Sequence, residues 1–184
     1  MNRINKLLIK KNISIITCYD ATFSNLLEQC KCDAVLVGDS LGIVIKGDKN
    51  TRKVGMNEMI YHTQAVRQGS ASLPIISDMP LLALESKNDA LINAKALINA
   101  GADMIKIEGG SSALPLIKFL SKNNIRVCAH IGYIPQSMNA PLTKSDPKKN
   151  LEIALNLQEN GAQMIVLSMM GSDSDKLITE NLTI

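Results

Sequence analysis

Apolar and polar positions along the chain follow two periods in turn. Short apolar runs alternate with stretches whose apolar residues recur every three or four positions, the mark of buried strands alternating with amphipathic helices. The runs predict strands over Ser14–Cys18, Ala34–Gly38, Ile75–Ser77, Ala102–Ile107, Ile125–Ile131 and Gln163–Leu167. Between them, Asp20 caps a helix with Phe23, Leu26 and Leu27 on one side. Asn57 caps a second, through Arg67, with Met59, Thr63 and Val66 inward. Asn88 or Asp89 starts a third, carrying Ala90, Leu91, Ala94, Leu97 and Ile98. Gly109-Gly110-Ser111-Ser112 leads into a fourth with Leu114, Ile117 and Leu120, Asn150–Gln158 is a fifth, and a last helix begins near Asp173.

Strands that each feed a helix describe an α/β fold with a parallel sheet. The repeat length is that of a (β/α)8 TIM-barrel type, here truncated after the sixth βα unit, with residues 1–184 as one partial barrel domain. Two connections are long, and the second breaks the rhythm. Asp39–Met56 is a long loop, and Pro135–Asn150 is a polar, proline-bearing segment expected to act as a flap after a strand's C-terminal end.

Three strands end on an acid: Asp39 after Val37-Gly38, Asp78 after Ile76-Ser77, and Glu108 after Lys106-Ile107. Parallel strands point the same way, so their C-terminal ends gather on one side, and three carboxylates there make a site for a hard cation. Strand alternation puts Met104, Lys106 and Glu108 on one face and Ile105 and Ile107 on the other; it likewise pairs Cys128 with His130, and Val166 with Ser168. Each residue also has a plainer role open to it. Asp39 could be a turn residue or helix cap, and Asp78 could cap the turn before Pro80. Lys106 and Glu108 could form an internal ion pair, and His130 could be a hydrogen-bonded core histidine. His62 reads as structural.

Composition narrows the class. Apolar residues make up 46% and charged residues 20%, ordinary for a globular protein. With two Phe, three Tyr and no Trp, there is no base-stacking platform, and the net charge of +3 comes from scattered lysines; nucleic acid is not an expected partner. No apolar run reaches membrane-spanning length, so no membrane is expected, and Cys18, Cys30, Cys32 and Cys128 read as reduced thiols of a cytoplasmic protein.

Five blocks carry a resemblance that covers the chain from about Ile15 to its end. They are Val37-Gly38-Asp39-Ser40-Leu41-Gly42, Tyr61-His62-Thr63-Gln64-Ala65-Val66-Arg67, Ser77-Asp78-Met79-Pro80, Gly101–Gly110 and His130-Ile131-Gly132-Tyr133-Ile134-Pro135-Gln136-Ser137. In order and in register, they resemble the ketopantoate hydroxymethyltransferase family. The resemblance implies a (β/α)8 barrel in a homo-oligomer, a decamer in the family. It implies transfer of a hydroxymethyl group from 5,10-methylenetetrahydrofolate to 3-methyl-2-oxobutanoate, giving 2-dehydropantoate, in pantothenate and coenzyme A synthesis. By the same resemblance Asp39, Asp78 and Glu108 match the Mg²⁺ site. Asp39, Ser40, Asp78 and Lys106 match the oxo-acid contacts, and His130 matches a further active-site residue.

The chain departs from the family in three places. Ser168 stands where the family carries its glutamate base, with Asp173 and Asp175 a few residues on as substitutes. The sequence stops at Ile184, where a seventh strand would begin, and Met138–Asn150 replaces a glycine-rich flap. A serine hydroxyl does not act as a base unaided, and general-base help is worth roughly 10²–10⁴-fold in rate. Two other readings therefore stand beside the transferase: an inactive remnant or subunit of this fold, and a 2-oxo acid lyase like the phosphoenolpyruvate mutases.

Overall fold

The computed structural model describes residues 3–84, 86–139 and 146–182. The chain divides into two compact units, Met1–Ile105 and Lys106–Ile184. Its strands form one six-stranded sheet in sequence order, β1 through β6, the order of a barrel-type α/β fold.

The first unit holds α1 (Arg3–Leu8), β1 (Ile15–Thr17), α2 (Ala21–Gln29), β2 (Ala34–Val37), α3 (Leu41–Val44), α4 (Met56–Gly69), β3 (Ile75–Asp78) and α5 (Lys87–Ala100). β1 pairs parallel with β2, Ile15 opposite Ala34, and β2 pairs parallel with β3, Val35 opposite Ile75. Ala34, Val35, Val37, Ile75 and Ile76 are buried, while Ile15 and Ile16 of outer strand β1 are 37% and 46% exposed. The helices supply the other wall: Met59, Thr63 and Val66 from α4, and Ala90, Ala94 and Leu97 from α5, as their spacing predicts.

Several local expectations change. α1 is a short helix that its basic residues disguise, and α3 lies inside the predicted loop. α4 starts two residues early because the Gly55 amide donates to Glu58 Oε2 at 2.7 Å, and α5 is capped by Ser86, whose side chain accepts from the Asp89 amide. α2 is capped by Asp20 as expected, yet it buries Ser24 and leaves Phe23 and Leu26 exposed. Gly69 explains this: a side chain there would meet the backbone of Ala21, so α2 and α4 approach on their small residues.

Arg67 ties the loop before β3 to the loop before the next strand. Its guanidinium donates to the carbonyls of Ser70, Leu73 and Gly101 and to Asp103 Oδ2, and Asp103 accepts in turn from the Ile75 amide at 3.0 Å.

β4 (Met104–Glu108) is buried throughout and runs from the first unit into the second. The second unit continues with a 3₁₀ turn at Gly110–Ala113, α6 (Leu114–Lys122), β5 (Val127–Gly132), α7 (Pro147–Glu159), β6 (Ala162–Ser168) and α8 (Ser172–Asn181). β5 and β6 pair in parallel from Val127–Ala162 to Gly132–Ser168. β6 is half-buried along most of its length, in keeping with its place at the end of the strand order. Of the expected flap, residues 140–145 lie outside the described residues. Its end is the start of α7, where Asp146 accepts from the Lys148 and Lys149 amides.

Candidate active site at the strand ends

Asp39 follows β2 and Asp78 ends β3, and both are buried. The two ends touch through the backbone: the Asp39 amide donates to Asp78 Oδ2 at 3.2 Å. Gly38 leaves room beside them: a Cβ on it would sit 2.7 Å from Ser40 Oγ and turn that hydroxyl aside, though its 3.5 Å to Asp78 Oδ2 would be ordinary contact. Ser40 is the N-cap residue of α3, so Asp39 does not hold that position. The Ser40 hydroxyl is 2.7 Å from the Tyr19 hydroxyl. Tyr19 itself is held by His62, whose Nδ1 meets the Tyr19 carbonyl at 2.7 Å and whose ring lies edge-on to the Tyr19 ring. Thr63 adds a buried hydroxyl pair with Ser77 at 2.9 Å. His62 is thus structural, as expected, and its role is to brace the segment that carries Tyr19. Burial pushes the Tyr19 hydroxyl pKa up, against the Ser40 hydrogen bond.

In the second unit, Lys106 Nζ donates to Glu108 Oε1 at 2.9 Å, and His130 Nδ1 meets the same oxygen at 2.9 Å. All three are at most 7% exposed. Alternation along β4 delivers the first pair, and His130 comes from the adjacent position in the strand order. Burial pushes the Glu108 carboxyl up. The His130 hydrogen bond and the Lys106 charge outweigh that and hold it down at about 2. The internal ion pair and the hydrogen-bonded histidine, the plainer readings of these residues, are therefore both present. They do not exhaust the site, because His130 Nε2 is buried with no hydrogen-bond partner among the described residues. A buried polar atom left over in a charged cluster is open to a water, an ion or a ligand atom.

Gln136 closes this region. It is 3% exposed, and its amide donates toward Glu108 Oε2 at 3.4 Å. The sequence reading did not single out Tyr19 or Gln136 as site residues. Tyr19 lies just past a strand end, the position that drew attention to Asp39, and Gln136 lay within a segment read as a flap.

Ser168 ends β6, half-buried, and its carbonyl accepts from the Tyr133 amide at 2.7 Å. Of the two substitutes, Asp173 is exposed on α8, and Asp175 is half-buried with its Oδ1 lacking a partner among the described residues. One carboxylate oxygen from each of Asp39, Asp78 and Glu108 lies within 4.8 Å of the other two. The acids that the strand pattern singled out thus form a group with the spacing and the oxygen chemistry to hold a cation. The four cysteines are free thiols, and among the described residues no helix is long and apolar enough to cross a membrane.

The chain is 43% identical over 183 residues to the 3-methyl-2-oxobutanoate hydroxymethyltransferase of Nitrosomonas eutropha, covering 95% of this chain and 68% of that protein. It is 40% identical over 181 residues to the protein of the same name from Wigglesworthia glossinidia brevipalpis, again covering 95% and 68%. Among solved structures, phosphonopyruvate hydrolase in complex with oxalate and Mg²⁺ superposes with a TM-score of 0.78 at 12% identity, over 97% of this chain and 67% of that one. That likeness is one of fold alone. The ketopantoate hydroxymethyltransferase profile matches residues 1–184, and the chain belongs to that family of hydroxymethyltransferases.

Proposed function

We propose that this chain binds Mg²⁺ through Asp39, Asp78 and Glu108 and takes 3-methyl-2-oxobutanoate beside it. The hydroxymethyl group would come from 5,10-methylenetetrahydrofolate, giving 2-dehydropantoate for pantothenate synthesis. The observation that carries the reading is the carboxylate group itself, three buried acids with ligand oxygens within 4.8 Å. Buried carboxylates without a cation repel one another, and hard oxygen donors suit Mg²⁺ rather than a thiophilic metal. The barrel-fold hydrolase that superposes on this chain was solved with Mg²⁺ and oxalate, a dicarboxylate that presents two oxygens as a 2-oxo acid does.

Bound there, the ion would draw electron density from the keto oxygen and make the C3 proton of the oxo acid more acidic. The chain's own residues do the rest. Lys106, held by Glu108, places a positive charge where the substrate's oxyanion develops. Ser40, braced by Tyr19, offers a hydroxyl to the substrate's carboxylate, and the open Nε2 of His130 takes a further substrate atom. Burial of Lys106, Glu108 and His130 excludes water from them and strengthens each interaction. Ser168 supplies no base, so removal of the C3 proton is the slow step. The same reading includes assembly into a homo-oligomer and a cytoplasmic location.

The test is calorimetric titration with 3-methyl-2-oxobutanoate, with and without Mg²⁺, followed by exchange of the C3 proton in deuterated water. The reading expects binding only with Mg²⁺, and slow exchange. Binding that ignores Mg²⁺ would reject it. Turnover of a phosphonate or lyase substrate without folate would favour the mutase-like alternative.

A further inference from the structure

A charged cavity of the first unit lies at the strand starts, not the strand ends. It has a volume of about 600 Å³, and its wall includes Arg3, Lys6, Lys10 and Lys31 against only Glu28 and Asp33. Four positive groups less two negative ones leave two positive charges on the wall. Both acids are already engaged. Glu28 accepts from the Ser72 amide at 3.0 Å and from its hydroxyl, and these bonds hold its pKa down. Asp33 accepts from the Ser14 amide at 2.8 Å and from Lys10 Nζ at 2.5 Å. Arg3 Nε is bonded to Asp103 at 3.1 Å. The ammonium groups of Lys6 and Lys31 have no ion pair or hydrogen bond among the described residues.

Lys31 is also held in an unusual place. It follows the C-cap Cys30 of α2 with φ at 60°, the left-handed conformation that glycine adopts most readily. A lysine there keeps a charge on the cavity wall at a position where the backbone favours no side chain. Beneath the charges, Leu7 and Leu73 are buried and give the cavity an apolar floor. Cavities of this volume, apolar with a few converging polar groups, are typical of small-molecule sites.

We propose that this cavity binds a small phosphorylated ligand, its phosphoryl group held by Lys6 and Lys31. Two free ammoniums match a tetrahedral dianion in charge, and as rotating point donors they suit its geometry. The site is separate from the carboxylate cluster. Asp33 borders the cavity and Asp39 belongs to the cluster, and six residues of extended chain span roughly 20 Å.

The probe is inorganic pyrophosphate, titrated calorimetrically into the full chain in Mg²⁺-free buffer. We expect saturable one-to-one binding that weakens as salt is raised. The double variant Lys6→Gln/Lys31→Gly should lose about 10-fold in affinity, and Asp39→Asn should leave it unchanged. Lys31→Gly relieves the left-handed backbone, so it preserves the fold; each single variant, read alone, should still lose about 3-fold. Absence of saturable binding, equal binding by the lysine variants, or its loss in Asp39→Asn would each overturn the proposal.

Discussion

The ends of β4 and β6 are the same topological position in one unit, yet they are built differently. β4 ends in Lys106 and Glu108, buried and tied to each other and to His130. β6 ends in Ser168, half-buried, followed by Met169 in the left-handed conformation and 65% exposed. The first end carries the charged groups that the proposed function assigns to binding the substrate. The second carries a serine where the resemblance places the base. On that reading, binding and proton transfer reside in separable parts of this molecule, and each can be altered without the other.

The largest effect should come from placing a carboxylate at the end of β6. Ser168→Glu should raise the Mg²⁺-dependent C3 exchange rate by roughly 10²–10⁴-fold, read by loss of the C3 proton signal, with substrate affinity little changed. An unchanged rate would mean that another group already serves as base.

Next is the ion pair at the end of β4. Lys106→Met leaves Glu108 buried with one positively charged partner fewer, and breaking such a pair costs about 3–5 kcal/mol. Denaturant unfolding should show a loss near the lower figure, because His130 remains bonded to Glu108. A loss below about 1 kcal/mol would show that Glu108 does not depend on Lys106.

The crossing from β5 to β6 should be less sensitive. Gly132 has φ at 98°, and a side chain there would meet the Ser168 carbonyl oxygen and approach Met170 Cγ to 2.5 Å. Gly132→Ala should lower stability by about 1–3 kcal/mol and perturb the β6 end more than the β4 end. Equal stability would mean that the β6 end yields freely.

The smallest effect lies far from both. Lys10 and Ser14 hold the Asp33 carboxyl at about 2, below its ordinary 3.8. A depressed carboxyl contributes stability that is present above the unfolded value and lost as pH falls toward the folded one. The difference in stability between the natural chain and Asp33→Asn should hold above about pH 3.8 and vanish on approach to pH 2. A difference constant across that window would remove Asp33 from the acid response.

Much of this was legible in the sequence for a definite reason. Strand alternation is strict, so placing Ile105 and Ile107 in the core placed Lys106 and Glu108 together. Acids at strand ends inherit their convergence from parallel order. The same reasoning missed Tyr19 and Gln136, because loop backbones have no period to betray which side chain turns inward. It also placed Phe23 and Leu26 on a packed face. Helical spacing identifies a stripe, but the close approach of Gly69 to Ala21 decides which stripe is buried. The hydrogen bonds that start α4 and α5 shifted their first turns for a similar reason: Gly55 and Ser86 offered better partners than the asparagines nearby.

The account rests on one ion shared by three acids, and Mg²⁺ titration in the presence of 3-methyl-2-oxobutanoate measures that directly. The natural chain should bind a single Mg²⁺, and Asp78→Asn should weaken it by more than the roughly 10–100-fold typical of an outer-shell partner. Equal affinity in the two proteins would contradict the account.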